Sequence, residues 1–224
     1  MNTNIYHQVC SLGPFCHSAN LLQRLNLKIV SFPFDWIFSN PLIIANCIET
    51  NFRFFLDKSY FMFDASANHQ QNKYYVDHFH ITNPLFPHSN PLHQETLEHF
   101  QRCIQRFHIL LNCPDKKLFI ISYMVTYTEK VDSDYIEKLK ILNRILSVNT
   151  TNYDILCIIN TPKQAVQSSV FSTLGENIII LELHTFSISH GVFFLNEDDN
   201  IFLQNIIRNK FAFDIQNIYT DVHK

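Results

Sequence analysis

Three apolar runs in the second half of the chain do most to limit what it can fold into. KLFIISYMVTY (117–127), YDILCIIN (153–160) and NIIILEL (177–183) are continuous rather than alternating. A strand buried on both faces reads this way, whereas a strand with one wet face alternates. Between and after them lie helical patterns. Asp134 to Val148 carries Tyr135, Leu139, Leu142 and Leu146 at helical spacing, Lys163 to Thr173 reads as a weaker helix, and Asp198 to Lys210 as another. Strand–helix–strand alternation predicts a parallel sheet with right-handed crossovers. The expected fold class is therefore α/β, a single three-layer domain over residues 1–224 with a mainly parallel central sheet. No internal repeat is visible at a period of about 20–50 residues.

The first half adds a candidate site to this frame. Ile5 to Cys10 is short and apolar enough for a buried strand, and Ser11-Leu12-Gly13-Pro14 reads as a turn. From Phe15 onward, Ala19, Leu21, Leu22, Leu25 and Leu27 make a helical stripe. Cys16 is then expected in the first helical turn, where open backbone N–H groups and the helix dipole favour a negative group. A thiol so placed can fall from a pKa of about 8.5 to roughly 3.5–7.5, which makes Cys16 the candidate nucleophile. Gly13 lets the backbone turn and approach a ligand, and the N–H groups of Phe15 and Cys16 are candidates for an oxyanion site. A loop leading from the first strand into a helix N-terminus is also where open parallel sheets place ligands.

Other candidates follow in chain order. Asp35, in the turn PFDW, either orients a histidine or shapes the turn through backbone N–H groups. Trp36 beside it is core or the wall of a pocket. Pro41 opens a helix to about Asn51. Asp64 to Lys73 is a polar loop, and Tyr74 to Thr82 alternates as a strand does, with Val76, His78 and His80 on one side. A thiol nucleophile needs a base, and His78 or His80 would serve; His17 points about 100° away around the helix from Cys16 and is the poorer base. Leu92 to Leu111 is a helix. On it Arg102 and Arg106, one turn apart, either clamp a carboxylate or phosphate or form a solvated face. His184 and His190 resemble metal ligands only in residue type, so no metal or other cofactor is expected.

SLGPFC, followed by AxxLxxLxL and SFPFDWIF, resembles the family described as papain-like cysteine peptidases. The resemblance continues through Asn51-Phe52 to Phe55-Leu56, Tyr75 to His80, and FQRCIQRF at 100–107, and fades after Leu118. A basic residue that often follows the family's next strand is replaced here by Ser122 and Tyr123. The resemblance implies a thiol-dependent hydrolase with Cys16 as nucleophile and the family's later histidine at His78 or His80. Its name also implies an alternative fold, a papain-like α+β arrangement with an antiparallel barrel, against which the strand–helix alternation weighs.

Composition narrows the function classes. Of 224 residues 46% are hydrophobic and 17% charged, so the chain can bury a core. A net charge of −3 without a basic block argues against nucleic acid as partner. No run of about 18 apolar residues suggests a membrane span, and MNTNIYHQ lacks the marks of a signal peptide, so a cytoplasmic location is expected. The six cysteines are scattered without a CxxC pair, so all are expected as free thiols. The expected activity is hydrolysis of a peptide, ester or other small-molecule substrate, using Cys16, His78, His80 and Asp35, with Gly13, Phe15, Trp36, Arg102 and Arg106 at the substrate. The alternatives are a sugar- or nucleotide-linked transferase, with Gly13 holding an anion, and a non-catalytic binding module.

Overall fold

In the computed structural model, which describes residues 5–64, 69–81, 83–124 and 133–222, the elements run in the following order. Strands β1 (Ile5–Tyr6) and β2 (Gln8–Ser11) lead into α1 (His17–Arg24) and α2 (Pro41–Glu49). A short hairpin, β3 (Phe61–Asp64) and β4 (His69–Asn72), precedes α3 (Lys73–Phe79) and α4 (Gln94–Asn112). Then come β5 (Lys117–Met124), α5 (Ser133–Asn149), β6 (Tyr153–Thr161), β7 (Ser168–Leu174), β8 (Ile178–His184), α6 (Glu197–Lys210) and β9 (Ala212–Phe213).

The central sheet has the order β2-β5-β6-β8-β7. The pairs β2–β5, β5–β6 and β6–β8 are parallel, and only the edge pair β7–β8 is antiparallel. The three apolar runs thus lie side by side in one parallel sheet, as their continuous character predicts. Successive residues of β5 explain that character: Phe119 and Ile121 pack with α2, α4 and α5, whereas Leu118 and Ile120 pack with α1 and α6. Both faces of the strand are covered, so no polar alternation is possible. β1 pairs with β9 in a separate parallel ribbon. Among the described residues no helix is long and apolar enough to cross a membrane, and all six cysteines are free.

Three local expectations are overturned. Residues 163–173 do not form a helix: SSVFSTL is β7, joined to β8 through Gly175 at φ +68°. Its half-polar alternation suits an edge strand. Tyr74 to Thr82 is not a strand but α3 and its exit, with Thr82 outside the described residues. Asn72 caps this helix by accepting from the Tyr74 N–H (3.1 Å). Within it Tyr74 stacks on His78 (4.4 Å) and Tyr75 meets Phe79 (5.8 Å). Spacing of four residues therefore outweighs spacing of two, an ambiguity inherent in so short a segment. Residues 61–64 and 69–72, the latter within the expected polar loop, pair as an antiparallel hairpin. The last residues of the expected strand at 117–127, numbers 125–127, lie outside the described residues.

Candidate functional site

The Gly13 loop is welded to the carboxyl end of the sheet. The Leu12 N–H donates to the Ile120 carbonyl (2.8 Å) and the Ser122 N–H donates to the Gly13 carbonyl (2.9 Å). Gly13 has φ +75°, and a Cβ added there would stand 2.7 Å from Ser39 Oγ. Glycine is favoured here by the positive φ, and an added Cβ would in addition have to displace the Ser39 hydroxyl. Phe15 is also left-handed, at φ +70°, which costs a side-chain-bearing residue about 1–2 kcal/mol. Its ring is held edge-on by Phe38 (5.3 Å). Ser18 Oγ, shared with Ser11 Oγ at 2.8 Å, reaches back to the Gly13 carbonyl (3.2 Å).

Cys16 is the N-cap of α1 rather than a residue of its first turn, and no side chain caps the helix. The first N–H groups of α1 are therefore left without a side-chain acceptor. The thiol is not activated in the way its sequence position suggests. Cys16 is only 2% exposed, and burial, with the Asp35 carboxylate adding to it, pushes the thiol above its ordinary value. It rests as a neutral thiol, because desolvation disfavours the charged form.

Phe15, just before Cys16, and His80 line one cavity of about 320 Å³, together with Ser39, Asn40 and Lys138. His80 is the left-handed C-cap of α3, at φ 52°. His78 is not on a shared face with it. Its ring stacks on Tyr74 and its Nδ1 sits 2.9 Å from the Tyr74 carbonyl, away from that cavity's lining. His17 is buried against Phe194, with ring centroids 4.8 Å apart and neither nitrogen partnered. Burial, Arg24 and His190 lower its pKa to about 3.

Asp35 does not orient a histidine. One oxygen accepts from the Phe32 N–H (2.8 Å) and from Lys28, which also donates to the Val30 carbonyl (2.6 Å). The side chains of Lys28 and Asp35 are 9% and 1% exposed, so this is a buried ion pair. Burial pushes the Asp35 carboxyl up, against the opposing pull of Lys28 and the Phe32 N–H. Asp35 thus shapes the turn, and Lys28 is a partner that sequence reading missed.

The PFDW segment also borders a second cavity of about 500 Å³, lined by Trp36 and Arg102 among others. The expected pairing of Arg102 with Arg106 does not form there. Arg106 is turned aside, its Nη2 donating to the Val222 carbonyl at 2.9 Å. Sequence reading also missed the contact of Cys103 Sγ with His99 Nε2 at 3.5 Å. Its signal was available, since residues four apart on a helix face each other. Among the described residues no group of three or more His, Cys, Asp or Glu side chains could hold a metal ion.

No curated protein and no solved structure matched the chain. A family model matches residues 7–161, a span that holds the Gly13 loop, Cys16, the PFDW turn, α3 and α4. The chain belongs to that family, whose description reads "Putative papain-like cysteine peptidase (DUF1796)".

Proposed function

We propose that this protein is a thiol-dependent hydrolase in which Cys16 is the nucleophile and His80 the base. The observation that carries this reading is the shared cavity: Phe15, adjoining Cys16 in the chain, and His80 line the same space of about 320 Å³, while Cys16 itself is buried and not on the lining, so attack requires its thiol to be uncovered. Because burial keeps Cys16 protonated, its proton must leave as attack occurs, so the role of the histidine is general base catalysis. Cys16 Sγ attacks the acyl carbon while His80 takes the thiol proton. The carbonyl oxygen becomes an oxyanion facing the open N–H groups at the start of α1. His80 returns the proton to the leaving group, which departs to give a thioester on Cys16. Water then attacks that thioester, losing its proton to His80. The acid is released, and Cys16 regains a proton as its thiol leaves. Asp35 and Lys28 support the turn beside the loop and take no part in proton transfer.

Wild-type protein is expected to turn over phenyl thioacetate steadily, with thiophenol release followed by chromatography. Cys16→Ala should fall to the buffer rate, and His80→Ala should lose about 100-fold or more. His78→Ala, outside the cavity, should stay within about two-fold of wild type, below the loss a general base carries. Full turnover by Cys16→Ala would overturn the reading. Absence of turnover in wild type, with binding retained, would favour a binding module that keeps only the shape of the site.

A further inference from the structure

The larger cavity lies between the PFDW turn and α4, and residues on the same segment line both cavities: Phe32 and Trp36 face this one, Phe38, Ser39 and Asn40 the other. At about 500 Å³ it falls in the size range of small-molecule sites. Its walls combine aromatic surface from Phe32, Trp36 and Phe100 with the polar groups of His99 and Arg102.

Arg102 and Glu95 are the charged side chains on this cavity's lining, and they are not paired with each other. Arg102 has no hydrogen bond or ion pair among the described residues. The carboxylate of Asp35, in the turn that carries Trp36, is occupied by Lys28, and Arg106 is held by Val222. Glu95 also lines the cavity but is exposed and forms no ion pair with Arg102. A partly buried guanidinium with no bonded partner is a recognition element for a carboxylate, which it can grip through two parallel N–H···O bonds. His99 is held beside it by Cys103, itself buried and with its thiol pushed up to about 12. This contact engages Nε2 and leaves Nδ1 for a ligand. Burial, then Arg102, Arg106 and Lys28, hold the imidazole below its ordinary pKa, so it acts as a neutral hydrogen-bonding group.

We propose that this cleft binds a small organic carboxylate with an aromatic body, its carboxylate on Arg102 and its ring against Trp36. One unpaired guanidinium, with Glu95 also on the lining, fits a monoanion better than a dianion such as a phosphate monoester. The site is separate from the Cys16 reaction and does not depend on it.

Trp36 is the only tryptophan, so fluorescence excited selectively at tryptophan, beyond the absorption of the tyrosines, reports on this cleft. The full chain is titrated with 3-phenylpropanoate, 3-phenylpropanamide and phenyl phosphate. The carboxylate should give a saturable change with a Kd below about 1 mM. The amide, and the carboxylate on Arg102→Gln, should each bind about ten-fold more weakly or worse. Arg102→Gln should melt like wild type, since the guanidinium holds nothing within the protein. Equal affinity for the amide would overturn the proposal on wild-type protein alone, whatever the variant does. So would undiminished binding by a folded Arg102→Gln, tighter binding of phenyl phosphate, or no saturation with the carboxylate up to about 10 mM, where affinity is too weak to denote a site.

Discussion

Asp35→Asn is expected to lower the free energy of unfolding by about 3–5 kcal/mol, a loss in the range for breaking a buried ion pair. Lys28 and Asp35 are almost wholly withdrawn from water. Neutralising the carboxylate leaves the buried ammonium of Lys28 without a counter-charge, facing only neutral acceptors such as the Val30 carbonyl. Lys28→Met should cost somewhat less, because Asp35 keeps the bond from the Phe32 N–H. The double variant should lose clearly less than the two single losses added together, since neither charge is then left alone in the interior. Urea unfolding of the four proteins, read by linear extrapolation, measures this. Single losses below about 1 kcal/mol that simply add would mean that the pair behaves as an exposed one.

Acidification should destabilise the protein through His17. The folded-state pKa of this imidazole, about 3, lies far below its ordinary 6.5. The unfolded chain therefore takes up the proton first. Stability is fully present above about pH 6.5 and is lost as pH falls toward about 3. Between pH 7 and pH 4 the His17 contribution to that loss is about 3 kcal/mol. Its cause is burial against Phe194 together with the repulsion of Arg24 and His190. His17→Leu removes the titrating group, so the difference in stability between wild type and variant should shift by that amount across this range. A constant difference from pH 7 to pH 4 would contradict it.

What the sequence disclosed depended on how local each cause was. β5, β6 and β8 are legible because a strand buried on both faces must be apolar at every position, and the helices between or after them repeat their own spacing. β7 was hidden because SSVFSTL is an edge strand whose identity comes from pairing with β8. α3 was hidden because seven residues rich in aromatics fit either period, and the decisive contacts, Asn72 on the Tyr74 N–H and Cys47 Sγ on Tyr75 OH (3.2 Å), involve the cap and a distant helix. The Gly13 turn and the start of α1 were readable from glycine, proline and the leucine stripe. The neutral state of Cys16 was not, since helix position argues for a thiolate and only the tertiary fold supplies the burial and the Asp35 charge that oppose it. The same limit applies to Arg102 and Arg106, which share a helix face by spacing but part because the Val222 carbonyl, distant in sequence, takes Arg106.

The most direct test of the central claim is to find where an acyl group first lands. Wild-type protein mixed with excess phenyl thioacetate, quenched in acid within the first turnover and mapped peptide by peptide, should carry acetyl on Cys16. Exposure alone favours a different residue, because Cys113 is the one cysteine of the six that is not buried. Acetyl on Cys16, absent from the Cys16→Ala protein and slowed in His80→Ala, is the result this account predicts. Acetyl on Cys113 at the same rate in all three proteins, with none on Cys16, would contradict it.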